Sequence, residues 1–135
     1  MKKKIFKIKK IYKQNKLKNT CLYHGLWALK TKQHGIITEK QLESTRKIIS
    51  WSTKKVCKIW IRVQCNTPVT KKSIGTRMGK GVGSISYYIC NVKVGTIIIE
   101  IFFNTLISTH VLKDLLIIAS KKLSLSVKLV KKINL

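Results

Sequence analysis

The segment Thr76-Arg77-Met78-Gly79-Lys80-Gly81-Val82-Gly83-Ser84 sets three glycines at alternate positions among basic side chains. Glycine reaches positive φ without steric cost and lets the backbone come close to another surface, to which Arg77 and Lys80 bring charge. The segment reads as a loop that approaches phosphate. It is not a nucleotide-binding P-loop, because Lys80 is followed by Gly81 and no hydroxyl stands where a magnesium ligand belongs. A flexible hairpin loop with an incidental lysine has the same composition, so the residues alone leave both readings open. A second candidate is Lys58-Ile59-Trp60-Ile61-Arg62. In a strand, Lys58 and Arg62 share one face about 13–14 Å apart with Trp60 between them, and such a face can grip phosphates and stack on a sugar or base. The alternative is a tryptophan covered by a helix, with both cations snorkelling at its rim.

Other chemistry finds little support. Glu39, Glu43, Glu100 and Asp114 are the only carboxylates, and Glu39 and Glu43, one helical turn apart beside Lys40 and Lys47, are accounted for by ion pairing. No pair of carboxylates is left for general acid–base work. His24, His34 and His110 are available as bases or ligands, and Cys21-x2-His24 has a metal-like spacing, but it lacks a companion cluster. No enzymatic activity, metal or cofactor is expected.

The charge balance names the partner class. Against 29 Lys and Arg stand 4 Asp and Glu, a formal charge of +25 on 135 residues. Almost none of that charge can be paired within the chain, so a polyanion is the expected partner. The 44% hydrophobic content argues against a wholly disordered basic tail and for a compact domain around a single core. The longest uncharged apolar stretches, such as 101–112, run about a dozen residues and fall well short of the roughly 20 that a membrane-spanning helix needs. No membrane insertion is expected. Cys21, Cys57, Cys65 and Cys90 show no CxxC spacing and no signal peptide precedes them, so reduced thiols are the default. Abundant Ile, Lys and Asn, with Ala only at 28 and 119 and Arg only at 46, 62 and 77, suggest an AT-rich organellar or parasitic genome.

Two parts follow: a basic N-terminal arm over 1–19 and one compact α+β domain over 20–135, the part expected to bind the polyanion. The arm carries Lys2, Lys3, Lys4, Lys7, Lys9, Lys10, Lys13, Lys16 and Lys18 without an acid, and its self-repulsion favours an extended chain until phosphate neutralises it. A mitochondrial targeting helix is the rival reading, although such peptides favour Arg and Ser. In the domain, Thr38-Glu39-Lys40-Gln41 is a capping box that opens a helix over 39–53 with Leu42, Thr45 and Ile49 on its inner face. Cys57, Ile59, Ile61, Val63 and Cys65 alternate with polar or large residues, which predicts a strand with Ile61 on its core face, ended by Asn66-Thr67-Pro68. Strands over 85–94 and 96–103, separated by Gly95, are expected to form a hairpin. Ser108 or Thr109 caps a second helix whose stripe is Val111, Leu112, Leu115, Leu116 and Ala119. Leu125, Val127 and Leu129 suggest a final edge strand. The expected class is α+β, two helices packed on one antiparallel or mixed sheet.

Lys58-Ile59-Trp60-Ile61-Arg62-Val63, Pro68-Val69-Thr70, Arg77-Met78-Gly79-Lys80-Gly81, Gly83, Tyr87-Tyr88, Gly95 and Glu100 follow one another in the order and spacing of a known family. They resemble the bacterial and organellar large-subunit ribosomal protein numbered sixteen. Gly25-Leu26-Trp27-Ala28-Leu29-Lys30 and the run from Ile37 to Glu43 resemble that family's first strand and helix, so the similarity extends over about 23–123. The resemblance implies an α/β-hammerhead type of fold on large-subunit ribosomal RNA near the base of the central protuberance. It also implies late entry into the subunit, neighbouring large-subunit proteins as partners, and a loop directed toward the peptidyl-transferase region and A-site tRNA. That loop role falls on Arg77, Met78, Gly79, Lys80, Gly81 and Gly83. Further RNA contacts are expected at Lys2, Lys3, Lys4, Lys7, Lys9, Lys10, Lys13, Lys58 and Arg62. The sequence departs from the family at Val82, where a basic residue is common, at His24, where an aromatic is usual, and at Leu123-Ser124, which lacks a proline. Ile101-Phe102-Phe103 replaces a turn containing Met and glycine. This drift fits a fast-evolving copy in the mitochondrial matrix, with another organelle or a bacterial cytoplasm as alternatives, and a free-standing basic nucleic-acid-binding protein is the competing function.

Overall fold

The computed structural model describes residues 20–54, 56–79, 81–103 and 108–132. The arm 1–19, with Lys2, Lys3, Lys4, Lys7, Lys9, Lys10 and Lys13, and the loop residue Lys80 lie outside them. The elements run β1 (Trp27–Thr31), β2 (Gly35–Thr38), α1 (Glu39–Ser52), β3 (Cys57–Ile61), β4 (Thr67–Lys71), β5 (Ser84–Val92), β6 (Ile97–Phe103), α2 (Thr109–Ser120) and β7 (Val127–Lys131). The class is α+β, as expected. The strands divide, however, between two antiparallel sheets, ordered β3-β6-β1-β7 and β2-β5-β4.

The capping box forms as the sequence predicts. Thr38 Oγ1 accepts from the Gln41 amide at 3.3 Å, and Gln41 Oε1 accepts from the Thr38 amide at 2.9 Å. Leu42, Thr45 and Ile49 are buried along one stripe of α1. Leu112, Leu116 and Ala119 do the same for α2, whereas Val111, expected in that stripe, is exposed. Both helices join a core that includes Trp27, Leu29, Ile99 and Ile101 from the four-stranded sheet and Ile37 and Val92 from the other. The central strand β6 reads as an almost unbroken apolar run because Ile97, Ile98, Ile99 and Ile101 are all buried, covered on both faces.

Three further expectations change. The predicted hairpin of 85–94 with 96–103 does not form: β5 pairs with β2 and β4, while β6 pairs with β1 and β3. Gly95, at φ +80°, turns the chain from one sheet to the other, and the crossing is tied to β1 by Gly95 N donating to Thr31 O at 3.0 Å and Thr31 Oγ1 donating to Lys93 O at 2.7 Å. Second, the strand expected to run to Asn66-Thr67-Pro68 stops at Ile61, and Pro68 sits inside β4, which lies at the edge of its sheet, where a missing amide leaves no ladder partner stranded. Third, Ile61 is 38% exposed. It ends β3, an edge strand; Arg62 N still donates to Ile98 O of β6 at 2.8 Å, and Val63 beyond it takes the buried position instead.

Candidate nucleic-acid interface

β4 and β5 carry the glycine-rich loop. Their ladder closes at the Lys71–Ser84 pair, and the described residues 72–79 and 81–83 extend beyond it. Ile74 is fully exposed, Met78 is 95% exposed and Arg77 is exposed, an arrangement that contributes nothing to a core. Gly79 and Gly81 adopt φ of +98° and +78°, and an added Cβ would meet nothing within 4 Å at either. Their need for glycine is conformational, and the space around them is open to a partner. Gly83 is different, since its Cβ would lie 2.6 Å from the Lys71 carbonyl carbon and oxygen. There glycine lets the two arms of the loop touch. Two side-chain contacts give the loop shape: Lys72 Nζ donates to Gly79 O at 2.6 Å, and the Ser73 and Thr76 hydroxyls are 2.6 Å apart.

The strand candidate divides. Lys58 is exposed, but Arg62 is drawn inward to Glu100, the one carboxylate whose side chain is fully buried, and its own side chain is only 14% exposed. The same carboxylate accepts backbone amides from Tyr23, His24 and Gly25 at 3.2, 2.8 and 3.0 Å. Burial pushes the Glu100 carboxyl up, but the Gly25 and His24 amides, the Arg62 guanidinium and the Tyr23 amide together outweigh it and hold it below the usual carboxylate range. Arg62 is therefore first a structural residue, clasping residues 23–25 across β6. No periodicity marks this clasp in the sequence, because its members are 38 and 75–77 residues apart. Trp60 is half-buried by a stack with His24, ring centroids 5.5 Å apart and planes at 26°. Among the described residues Cys21 and His24 gather no further ligands, and no group of three or more His, Cys, Asp or Glu side chains converges. The thiols of Cys57, Cys65 and Cys90 are free, and burial, with the neighbouring Cys65 second, pushes Cys90 up to about 11. No described helix is long and apolar enough to cross a membrane.

The loop and the strand face are thus carried by different sheets, and the structure does not merge them into one site. The pattern can make phosphate contacts and ring contacts, with no catalytic group among them. A family model described as "Ribosomal protein L16p/L10e" matches residues 1–130, a longer stretch than the motifs alone delimit. The chain is 35% identical over 130 residues to the large ribosomal subunit protein uL16 of Psychrobacter arcticus, which covers 91% of this chain and 93% of that protein. It is 38% identical over 99 residues to the uL16 of Francisella tularensis subsp. novicida, 68% of this chain and 72% of that one. The uL16 of Wigglesworthia glossinidia brevipalpis is 42% identical over 83 residues, 62% of this chain and 61% of the relative.

Proposed function

The chain belongs to the ribosomal protein L16p/L10e family, and on that premise we propose that it binds large-subunit rRNA beside the peptidyl-transferase centre and helps position A-site tRNA through the loop 72–83. It is a structural constituent of the large ribosomal subunit, not an enzyme, with rRNA and other ribosomal proteins around it. A free-standing nucleic-acid-binding protein is thereby set aside. The observation that supports the finer reading is the loop itself, which extends from the sheet with exposed Arg77 and Met78 and with positive-φ glycines that face open space. Glycine reaches that conformation without steric cost, which lets the loop backbone come close to a partner. The arm 1–19, read as a unit apart from the domain 20–135, adds phosphate contacts through its lysines. The Lys- and Ile-rich composition with three arginines supports a home in the mitochondrial matrix, within the mitochondrial ribosome.

Two glycine substitutions separate positioning from folding. Gly81→Val forbids the loop's conformation without meeting any neighbour, so it should leave the melting temperature of the isolated protein nearly unchanged and still enter large subunits. Peptide-bond formation and A-site tRNA accommodation in reconstituted subunits should slow. Gly83→Ala drives a methyl into the Lys71 backbone and should lower stability by about 1–3 kcal/mol, the usual range for overpacking. Subunits that contain Gly81→Val and accommodate tRNA at the wild-type rate would refute the loop's role.

A further inference from the structure

The clasp around Glu100 builds a second surface. Residues that pair across neighbouring strands point their side chains to one face of the sheet, and the register places Trp60, Glu100, Ala28 and Val130 in one row, with Lys58 beside Phe102 in the row before it. This is the face opposite the helix-packed side of Trp27, Leu29, Ile99 and Ile101. Residues 23–25 lie across it, held through their backbone amides. The Tyr23 and His24 side chains remain outside. The Tyr23 ring sits over the Arg62 guanidinium at 4.9 Å and is still 59% exposed, and the His24 ring stacks on Trp60 and is also exposed. Each of these two rings therefore has one side seated on the fold and other surface open to water.

We propose that Tyr23, His24 and Trp60 form an aromatic ledge that stacks an unpaired nucleobase of RNA while Lys58 meets an adjoining phosphate, a contact separate from the loop. The inference rests on the RNA-binding reading above and adds what is bound at this face. Charge complementarity selects the occupant. Lys58 is exposed beside the ledge and the Lys30–Lys128 pair lies in the row on its other side, while the face's carboxylate, Glu100, is fully buried and turned to its four donors. The other carboxylates, Glu39, Glu43 and Asp114, stand on α1 and α2, the helices of the opposite side. Open rings flanked by cations suit a stacked base next to its own phosphate. A duplex keeps its bases stacked on one another and offers the ledge no such face.

Binding of the full-length protein to three oligonucleotides of equal charge, measured at one salt concentration, tests this: an unstructured single strand, its abasic counterpart, and a duplex with the same number of phosphates. The Tyr23→Ala/His24→Ala variant keeps both backbone amides on Glu100, so the clasp survives. It should bind the single strand roughly tenfold more weakly, the effect of losing one stacked base, with duplex affinity and salt slope unchanged. Tyr23→Phe/His24→Phe should restore single-strand binding. Wild-type protein should prefer the base-bearing strand over the abasic one, a readout independent of how the variants fold. Equal affinity of wild type for those two strands, or an alanine variant as tight as wild type, overturns the ledge while leaving RNA binding intact. A wild-type protein that binds none of the three overturns the RNA-binding reading and the ledge with it. Loss of a protein contact in assembled subunits by the alanine variant, with single-strand affinity intact, would assign the face to a protein neighbour and also overturn the ledge.

Discussion

Glu100 is a charge placed where a strand of isoleucines should exclude one. Its desolvation is offset by three amides and a guanidinium, and a buried pair of this kind is far costlier to break than to replace whole. Glu100→Gln leaves the Arg62 charge without its counter-ion, so stability at pH 7 should fall by about 3–5 kcal/mol in urea unfolding. The pH dependence has a definite sign. Because the folded carboxyl is held below its ordinary value of 4.5, the unfolded chain binds the proton first. The contribution is complete above pH 4.5 and is lost as pH falls through the lower folded value. Glu43 is also lowered, chiefly by its hydrogen bond with Arg46, but wild type and variant share it, so their difference isolates Glu100. The variant should show a flatter stability curve on the acid side. Equal acid-side slopes would mean that the clasp carries no charge linkage.

At the scale of elements, α1 starts with everything its sequence calls for and ends without it. Its N-terminus has the reciprocal capping box, whereas its last turn has no basic residue and the chain leaves through Lys54 at φ +48°. A side chain in that left-handed region is strained, and the position after a helix C-cap is where glycine is favoured. Thr53 Oγ1 donates to Ile49 O at 2.7 Å and closes the turn nonetheless. Lys54→Gly should therefore stabilise the protein by about 0.5–1 kcal/mol, after allowance for the greater freedom glycine gives the unfolded chain. Thermal unfolding would register the gain. A loss would mean that the lysine side chain, not the backbone, sets this terminus.

For the whole molecule, the decisive quantity is 29 cations against 4 anions. Three of those anions already have partners of their own: Glu43 pairs with Arg46 and Lys47, Glu100 with Arg62, and Asp114 with His110 when the imidazole is protonated. The charge left over is exported to a partner. Each phosphate neutralised releases condensed counter-ions, so affinity for a ribosomal RNA fragment should drop steeply with salt, by on the order of a thousandfold or more between 50 and 200 mM if six to ten phosphates are met. A titration that stayed nearly flat across that range would show that cation–phosphate contacts do not dominate binding.

The sequence by itself determined what depends on near neighbours or on totals: the polyanionic partner from net charge, α1 from a four-residue capping box and a three-to-four spacing, the strand at β3 from alternation, and the family from ordered motifs. Tertiary structure decided what depends on which segments meet. The apolar patterns of β5 and β6 fit a hairpin and fit two separate sheets equally well, because alternation records a buried face but not the strand across from it. Only the pairing partners distinguished them. The same holds for Ile61 and Arg62, adjacent in the strongest strand pattern of the chain. Ile61 lies at an open strand end and is left partly in water, while Arg62 reaches a carboxylate 38 residues away and is drawn inward. Spacing marks which face of an element turns inward, but how far each position along an edge strand is covered is set by the assembled sheet.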